Sequence, residues 1–153
     1  MNKYIYYELK RNKYLDFDID IQYDIKISKK AKNIHQLLWK LVSFGRFKVY
    51  YIVHKKDIVA SAEVMPWIFI FSFMKKKQTI HIGPCWTKET YHNQGLYKNL
   101  LKKISNDYIS YDKYIFCSEN NIVSKIGIEK VGFSKYAKGF KNRLGIYKIG
   151  EKI

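Results

Sequence analysis

The chain has 153 residues, 47% of them apolar and 27% charged, which predicts a single folded domain over residues 1–153 and excludes a mainly disordered protein. Its two cysteines, Cys85 and Cys117, are too few for a disulfide scaffold or a four-cysteine zinc site, so we expect no metal. The longest apolar run, residues 66–74, is about half as long as a membrane span, and the first residues lack the apolar core of a signal peptide. We therefore expect a cytoplasmic protein with no membrane span.

The net charge of +16 raises the question of an anionic partner such as nucleic acid. Only three of the 29 basic residues are arginines, the type best suited to bidentate contacts with bases and phosphates, and the lysines are spread along the whole chain. The abundance of Lys, Ile, Tyr and Asn is what we expect from an A+T-rich genome. We attribute most of the charge to genome bias and solubility, and we keep a basic nucleic-acid-binding module as an alternative function.

The first part of the chain predicts two extended segments and a helix. Residues 4–9 are rich in aromatic and β-branched side chains and predict the first strand, and the alternation over residues 17–27 predicts a second extended segment. Over residues 30–43 the period becomes helical, with Ser28 as the candidate cap and Gly45 as the stop. The expected inward face of this helix consists of Ile34, Leu37, Leu38 and Leu41.

The middle of the chain predicts a hairpin and then an apolar segment. Residues 49–53 and 58–64 predict two strands, joined by a tight polar turn at residues 54–57. Residues 66–74 are apolar, and Pro66 argues against a central strand there. We expect this segment to belong to the core, with the wall of a ligand pocket and a dimer face as alternatives.

The second half predicts three strands and two helices. The strands cover residues 79–86, 114–117 and 144–149; the helices cover residues 95–106 and 121–131. The expected inward residues are Leu96, Leu100, Leu101 and Ile104 on the first of these helices and Ile122, Val123 and Ile126 on the second, with Gly132 just after its end. The mixed order of elements predicts an α/β (α+β) fold with a mainly antiparallel central sheet flanked by helices.

One strand-to-helix loop, residues 87–95, carries the strongest indication of chemistry. A glycine at the entrance to a helix allows a ligand to approach the backbone closely, and Gly95 occupies that place. The free N–H groups of the first helical turn, residues 94–97, would carry a partial positive charge and form a phosphate site. A lone glycine is equally typical of a plain connecting loop.

A second pattern follows in register with the first. Residues 121–133 contain N-x-x-S-x-x-x-x-E-K-V-G-F, and residues 91–97 read Y-H-N-Q-G-L-Y. Together they resemble the acyl-CoA-binding half of the GCN5-related N-acetyltransferases (GNAT), over about residues 79–133. In that family a strand leads into a Tyr-Arg-Gly-x-Gly-x-Gly/Ala loop, and a later helix carries Asn and ends in Gly-Phe. The order of the remaining elements also fits.

The chain departs from the family pattern at four positions. His92 stands for the family's Arg or Gln, Asn93 for its first Gly, and Tyr97 for its last Gly or Ala. These changes are compatible with a phosphate site made by backbone N–H groups, provided that the Tyr97 side chain points away. The helix Tyr that often serves as general acid in this family corresponds to Ile128, so that acid is absent.

The resemblance implies transfer of an acetyl group from acetyl-CoA to a primary amine by direct attack in a ternary complex. A backbone N–H near Trp86 or Thr87 would stabilise the charge on the carbonyl oxygen. Asn121 would bind the pantetheine arm or cap its own helix, and Lys98, Lys102 and Lys125 would meet phosphates or merely be solvated. The implied cofactor-binding residues are Trp86, Thr87, His92, Asn93, Gln94, Gly95, Leu96, Tyr97, Asn121 and Ser124.

Two residues are candidates for the general base that deprotonates the amine. His81 lies on the strand that leads into the loop and has a side chain that titrates near neutral pH. Glu63 lies on the preceding strand between Ala62 and Val64, where burial would raise its pKa. For each of them, a hydrogen-bonded residue of the sheet is the alternative interpretation.

The acceptor is less well defined by the sequence. The segment IHIGPCW, residues 80–86, resembles family members associated with surface-polysaccharide synthesis, which would make a nucleotide-linked amino sugar the acceptor; peptide N-termini, polyamines and small amines stay open. Residues 67–74, with Trp67, are expected to contact it. A degenerate fold that binds CoA without catalysis is a further alternative, and a homodimer is compatible with the many aromatic residues.

Overall fold

A computed structural model describes residues 2–153, which form one eight-stranded sheet and three α-helices. The strands are β1 (Lys3–Leu9), β2 (Asp24–Ser28), β3 (Lys48–His54), β4 (Asp57–Pro66), β5 (Thr79–Thr87), β6 (Asp112–Ser118), β7 (Ser134–Lys141) and β8 (Tyr147–Lys152). The helices are α1 (Ile34–Val42), α2 (Leu96–Asp107) and α3 (Ile122–Val131), with a 3₁₀ turn at Glu89–Tyr91. The strand order is β2-β3-β4-β5-β6-β1-β7-β8, and among these strands of residues 2–153 only β5 and β6 are parallel. The predicted fold class is confirmed.

The sheet separates two apolar cores, and β4 shows how the sequence divides them. Ala62 and Val64 point to one face, which α2 and α3 cover with Leu100 and Leu101 among others; we call this the α2/α3 face. Met65 points to the opposite face, which α1 and residues 67–74 cover; we call this the α1 face. The core on the α1 face contains many aromatic side chains, and Tyr6 stacks on Phe73 there with ring centroids 4.4 Å apart.

Helix α2 matches the prediction, whereas α1 presents the face opposite to the one expected. All four residues predicted to face inward on α2 are buried. On α1, Ile34, Leu37, Leu38 and Leu41 are exposed, and Gln36 and Trp39 face the sheet instead. The cap is Asn33, whose side chain accepts a hydrogen bond from the Gln36 N–H, rather than Ser28. The prediction was wrong because periodicity identifies an apolar stripe but not what the stripe packs against.

The inward face predicted for α3 is also wrong. Ile122, Val123 and Ile126 are 62%, 82% and 48% exposed, and the residues that enter the core are Ile128 and Val131. Val123 and Ile126 instead line the large cavity described below. Gly132 ends the helix in the left-handed region, at φ 102°, as predicted.

Most predicted strands are present, with three differences. Of residues 17–27, only the end forms a strand, β2, which pairs with β3 at the sheet edge. Strand β7 was missed, and the last strand begins at Tyr147, because Leu144 and Gly145 belong to the turn before it. Residues 66–74 pack into the α1-face core through Ile68, Phe71, Phe73 and Met74, as expected. No helix within residues 2–153 is long and apolar enough to cross a membrane.

Gly139, in β7, supports a prediction about stability. A Cβ atom at this position would lie 2.0 Å from the Lys148 carbonyl oxygen of β8 and 2.5 Å from Cε2 of Tyr6. Gly139→Ala therefore forces two strands apart, and we expect a loss of about 1–3 kcal/mol in the free energy of unfolding, measured by urea denaturation. Gly150→Ala is the matched control, because its Cβ would make only ordinary contacts, the nearest at 3.7 Å. Equal midpoints for the two variants would contradict this packing.

Candidate active site

Strands β5 and β6 pair over only three residues and then separate. The pairs are Thr79 with Asp112, Ile80 with Lys113, and His81 with Tyr114. Beyond them β5 follows β4, and β6 follows β1, so a gap opens inside the sheet. A cavity of about 1070 Å³ occupies the gap, and its walls include residues 82–87 and 115–118.

The backbone of β5 offers hydrogen-bond donors to this gap. The Lys88 N–H donates to the Val59 carbonyl of β4 at 2.8 Å, and neighbouring residues of a strand face opposite sides. The backbone N–H and C=O groups of Trp86 therefore point to β4, whereas those of Cys85 and Thr87 point into the gap. The Thr87 carbonyl accordingly accepts a hydrogen bond from Nε2 of His92 at 3.0 Å rather than from β4. Of the two residues predicted to supply an N–H, Thr87 is the one whose N–H points into the gap.

The N-terminus of α2 opens at the mouth of the same gap. Gly95 is its N-cap at φ 76°, a left-handed conformation that glycine adopts without strain, and no side chain caps the helix in the described part of the chain. The first hydrogen bond of the helix runs from the Asn99 N–H to the Gly95 carbonyl, 3.0 Å. The N–H groups of residues 96–98 therefore have no acceptor within the helix, which is the arrangement that binds phosphate.

Tyr97, which stands for the small last residue of the family's loop, turns its side chain away from the N-terminus of α2. The Tyr97 ring lies against α3 at Gly127, where a Cβ would come within 2.9 Å of it. Burial raises the pKa of Tyr97, so its hydroxyl stays protonated. At the start of α3, the Asn121 side chain accepts a hydrogen bond from the Ser124 N–H at 3.0 Å, so its capping role is present, and both residues line the cavity.

The cavity brings together nine of the ten predicted cofactor-binding residues. The exception is Gln94, whose side chain accepts a hydrogen bond from the Tyr23 hydroxyl at 2.5 Å and does not line the wall. Lys98, a candidate for contact with phosphates, lines the cavity, and so does Lys130, which the sequence analysis did not name as a site residue. Lys125 donates to the Glu119 carbonyl at 2.8 Å.

Comparison with known proteins gave no match among protein-family models or curated proteins. Solved structures do match. An acetyltransferase of the GNAT family from Colwellia psychrerythraea superposes with a TM-score of 0.62 at 15% identity, over 90% of this chain and 53% of that one. An aminoglycoside N-acetyltransferase in complex with CoA gives 0.55 at 12% identity, over 72% of this chain and 91% of that one. An aminoglycoside acetyltransferase from an uncultured soil sample, in complex with sisomicin, superposes with a TM-score of 0.55 at 10% identity, over 75% of this chain and 90% of that one.

This chain has the GNAT fold. The likeness is one of architecture, because the identities are low. The chain spans between 48% and 61% of the length of three of the structures that it matches, including the Colwellia protein.

Within the GNAT fold, the two candidate bases lie on the α1 face. His81 lines the cavity and is enclosed by aromatic rings, with centroid distances of 4.3 Å to Phe71 and 5.0 Å to Phe116. Its Nδ1 has no hydrogen-bond partner in the described residues. Burial lowers the pKa of His81 to about 3, so the imidazole is neutral at physiological pH.

Glu63 is buried beside the wall of the cavity rather than on it. One carboxylate oxygen accepts a hydrogen bond from Nε2 of Gln36 at 3.0 Å, and the other has no partner within residues 2–153. The residue faces a bulge in β5, where Gly83 and Pro84 lie opposite Glu63 alone. Burial raises the pKa of the Glu63 carboxyl group.

The far end of the cavity is lined partly by the segment expected to contact the acceptor, through Ile70 and Phe71, and partly by residues that the sequence did not assign to a site. On α1 they are His35 and Trp39, whose Nε1–H donates to Nε2 of His35 at 2.6 Å. Phe71 and Tyr147 also line this end, but Trp67, expected to contact the acceptor, does not. Instead, Nζ of Lys76 lies over the Trp67 ring, 5.4 Å from its centroid. For His35 and Trp39, the only local signal in the sequence was their spacing of four residues on a predicted helix.

The buried carboxylate has a consequence for stability. Because the pKa of Glu63 is higher in the folded than in the unfolded chain, folding is favoured while the group is protonated, and that stabilisation is lost as pH rises through the raised pKa. We expect Glu63→Gln to unfold at higher urea concentration than wild type at pH 7, with the difference disappearing below about pH 4.5. The exposed Glu151→Gln controls for loss of one negative charge. A variant less stable than wild type at pH 7 would contradict the assignment.

Proposed function

We propose that the protein is an N-acetyltransferase, in which an amine attacks acetyl-CoA directly in a ternary complex. One observation carries the proposal: a single cavity runs from the open N-terminus of α2, through the gap between β5 and β6, to the α1 face. The GNAT fold supports it, since the matched structures include acetyltransferases and one contains CoA. A protein of this kind works where acetyl-CoA is available, in keeping with the expected cytoplasmic location.

The α2/α3 side of the cavity fits the requirements of CoA. A diphosphate needs several donors, and the N–H groups of residues 96–98, with Lys98 and Lys130 near them, would supply these. The pantetheine arm is long and largely apolar, so it would cover Val123 and Ile126, which are exposed on the wall. Ligand burial of this kind gives a reason for apolar residues on the outward side of α3.

Acetyl-CoA, when bound, supplies an acyl thioester. The Thr87 N–H, which the sheet does not use, would donate to the thioester carbonyl oxygen as negative charge develops on it. Glu63 would take the proton of the incoming ammonium, through water because the carboxylate lies behind the wall. A thiolate is a good leaving group, which makes the absence of a general acid at the buried Ile128 tolerable.

The acceptor that the sequence suggests is a nucleotide-linked amino sugar, and the argument for it is the resemblance of residues 80–86 alone. Three of the matched structures are of aminoglycoside acetyltransferases, and aminoglycosides are amines with several positive charges. We keep the nucleotide-linked amino sugar as the working acceptor on the basis of that resemblance.

Gly95→Glu tests the cofactor site. A carboxylate at the mouth of α2 would repel the diphosphate and obstruct the N–H groups, so we expect the Kd for acetyl-CoA, measured by isothermal titration calorimetry, to rise at least 100-fold. Gly95→Ala separates strain from charge, since its Cβ would meet nothing nearer than Lys98 Cε at 3.9 Å, and a much smaller loss is expected. Gly45→Glu is the matched control, because Gly45 is left-handed too, at φ 75°, and has open space around it.

Unchanged affinity in Gly95→Glu would show that the phosphates bind elsewhere. Absence of acetyl-CoA binding in wild type, together with tight and steeply salt-dependent binding of DNA or RNA, would favour the nucleic-acid-binding alternative. Binding of CoA without turnover on any amine would identify a degenerate CoA-binding fold.

Steady-state kinetics distinguish the two candidate bases. If Glu63 is the base, Glu63→Gln lowers kcat by about 10²–10⁴ while the Kd for acetyl-CoA stays the same. In wild type, kcat/KM should rise with pH through the raised pKa of Glu63, and this limb should be missing in the variant. His81→Asn should keep the limb and lose less activity. A larger loss in His81→Asn than in Glu63→Gln would transfer the role to His81.

A further inference from the structure

We propose that the acceptor is an amine that carries an acidic group on a body with a planar ring, and that polycations such as aminoglycosides are excluded. This inference rests on the proposed acetyltransferase function and concerns the α1-face end of the same cavity. Three observations support it: the charges on the wall, the aromatic rings there and one free lysine.

The wall of the cavity has no negative charge to hold a polycation. Among its lining residues, within the described part of the chain, none is Asp or Glu, whereas Lys98, Lys130 and Lys141 all contribute. An amine with several ammonium groups would have to lose hydration without gaining an ion pair, which is unfavourable for each charge that is buried. Positive surroundings also favour the neutral form of a single amine, the form that can attack.

The α1-face end is built from flat side chains. Phe116 and Tyr147 lie with centroids 4.4 Å apart, and Trp39 is stacked on Phe71 at 6.3 Å with an interplanar angle of 24°. All four residues line the cavity. Aromatic walls favour planar, apolar ligands, because aromatic rings contact one another by offset stacking and by edge-to-face packing.

Lys141 is the residue that would recognise the acid group. Its Nζ lies 5.1 Å from the centroid of Tyr147, at the aromatic end of the cavity. Two other lysines of β7 are already neutralised: Lys135 by Glu129 at 3.0 Å and Lys138 by Glu119 at 3.9 Å. Lys141 has no ion pair within residues 2–153, so its charge is available to a carboxylate or phosphate of the acceptor.

The test compares three amines as acceptors and ligands: L-phenylalanine, phenethylamine, which lacks only the carboxylate, and sisomicin. We expect kcat/KM for phenylalanine to exceed that for phenethylamine about tenfold, because the carboxylate would gain one charged hydrogen bond from Lys141. Sisomicin should have the lowest kcat/KM of the three. Lys141→Glu should reverse the order of the first two. Lys148→Glu is the matched control, because it makes the same charge change at an exposed residue of the same hairpin, off the cavity wall, and should leave the order unchanged.

A second readout keeps the inference testable without turnover. Saturation-transfer NMR measures binding of the three amines directly, with CoA absent and with CoA saturating. Stronger binding of sisomicin than of phenylalanine, binding of none of the three, or an unchanged preference in Lys141→Glu would each overturn the inference. Failure of the acetyltransferase proposal is recognised separately, by the absence of acetyl-CoA binding in calorimetry.

Discussion

The short pairing of β5 with β6 is the constraint on which the rest of the site depends. These strands form the only parallel pair in the described sheet, and α2 is the crossover between them. A crossover helix starts where its first strand ends, so the N-terminus of α2 necessarily lies at the open end of the gap. Had the strands paired along their full length, the Thr87 N–H would have been used by the sheet and the two faces would have been sealed from each other.

Features formed by neighbouring residues could be predicted from the sequence, whereas features that depend on the gap between β5 and β6 could not. The Gly95 turn and α2 were predictable because both are local: a left-handed φ calls for glycine, and an apolar stripe at helical spacing packs on the nearest sheet. The outward residues of α3 have the same apolar character but meet the cavity instead of the core. Periodicity registers that a residue avoids water, and it does not distinguish burial by protein from burial by a ligand.

Residues of the α1-face wall come from parts of the chain that no local pattern connects. Trp39, Phe71, Phe116 and Tyr147 belong to α1, an irregular segment, β6 and β8, and only the sheet order brings them together. Strand β7 was missed for a related reason. Its sequence, SKYAKGFK, is rich in lysine and contains glycine, and it is held as a strand by partners on both sides, β1 and β8, rather than by its own propensity.

Burial shifts the pKa values of the two candidate bases in opposite directions. The sequence supported both residues equally, but the structure favours Glu63. Removal from water disfavours the charged form of any group. For His81 the charged form is the protonated one, so the aromatic enclosure weakens the imidazole as a base. For Glu63 the charged form is the carboxylate, so the same kind of environment strengthens it. One oxygen of Glu63 has no hydrogen-bond partner in the described part of the chain, and burying such an oxygen lowers the stability of the fold. A role as proton acceptor would explain why the protein keeps a carboxylate there.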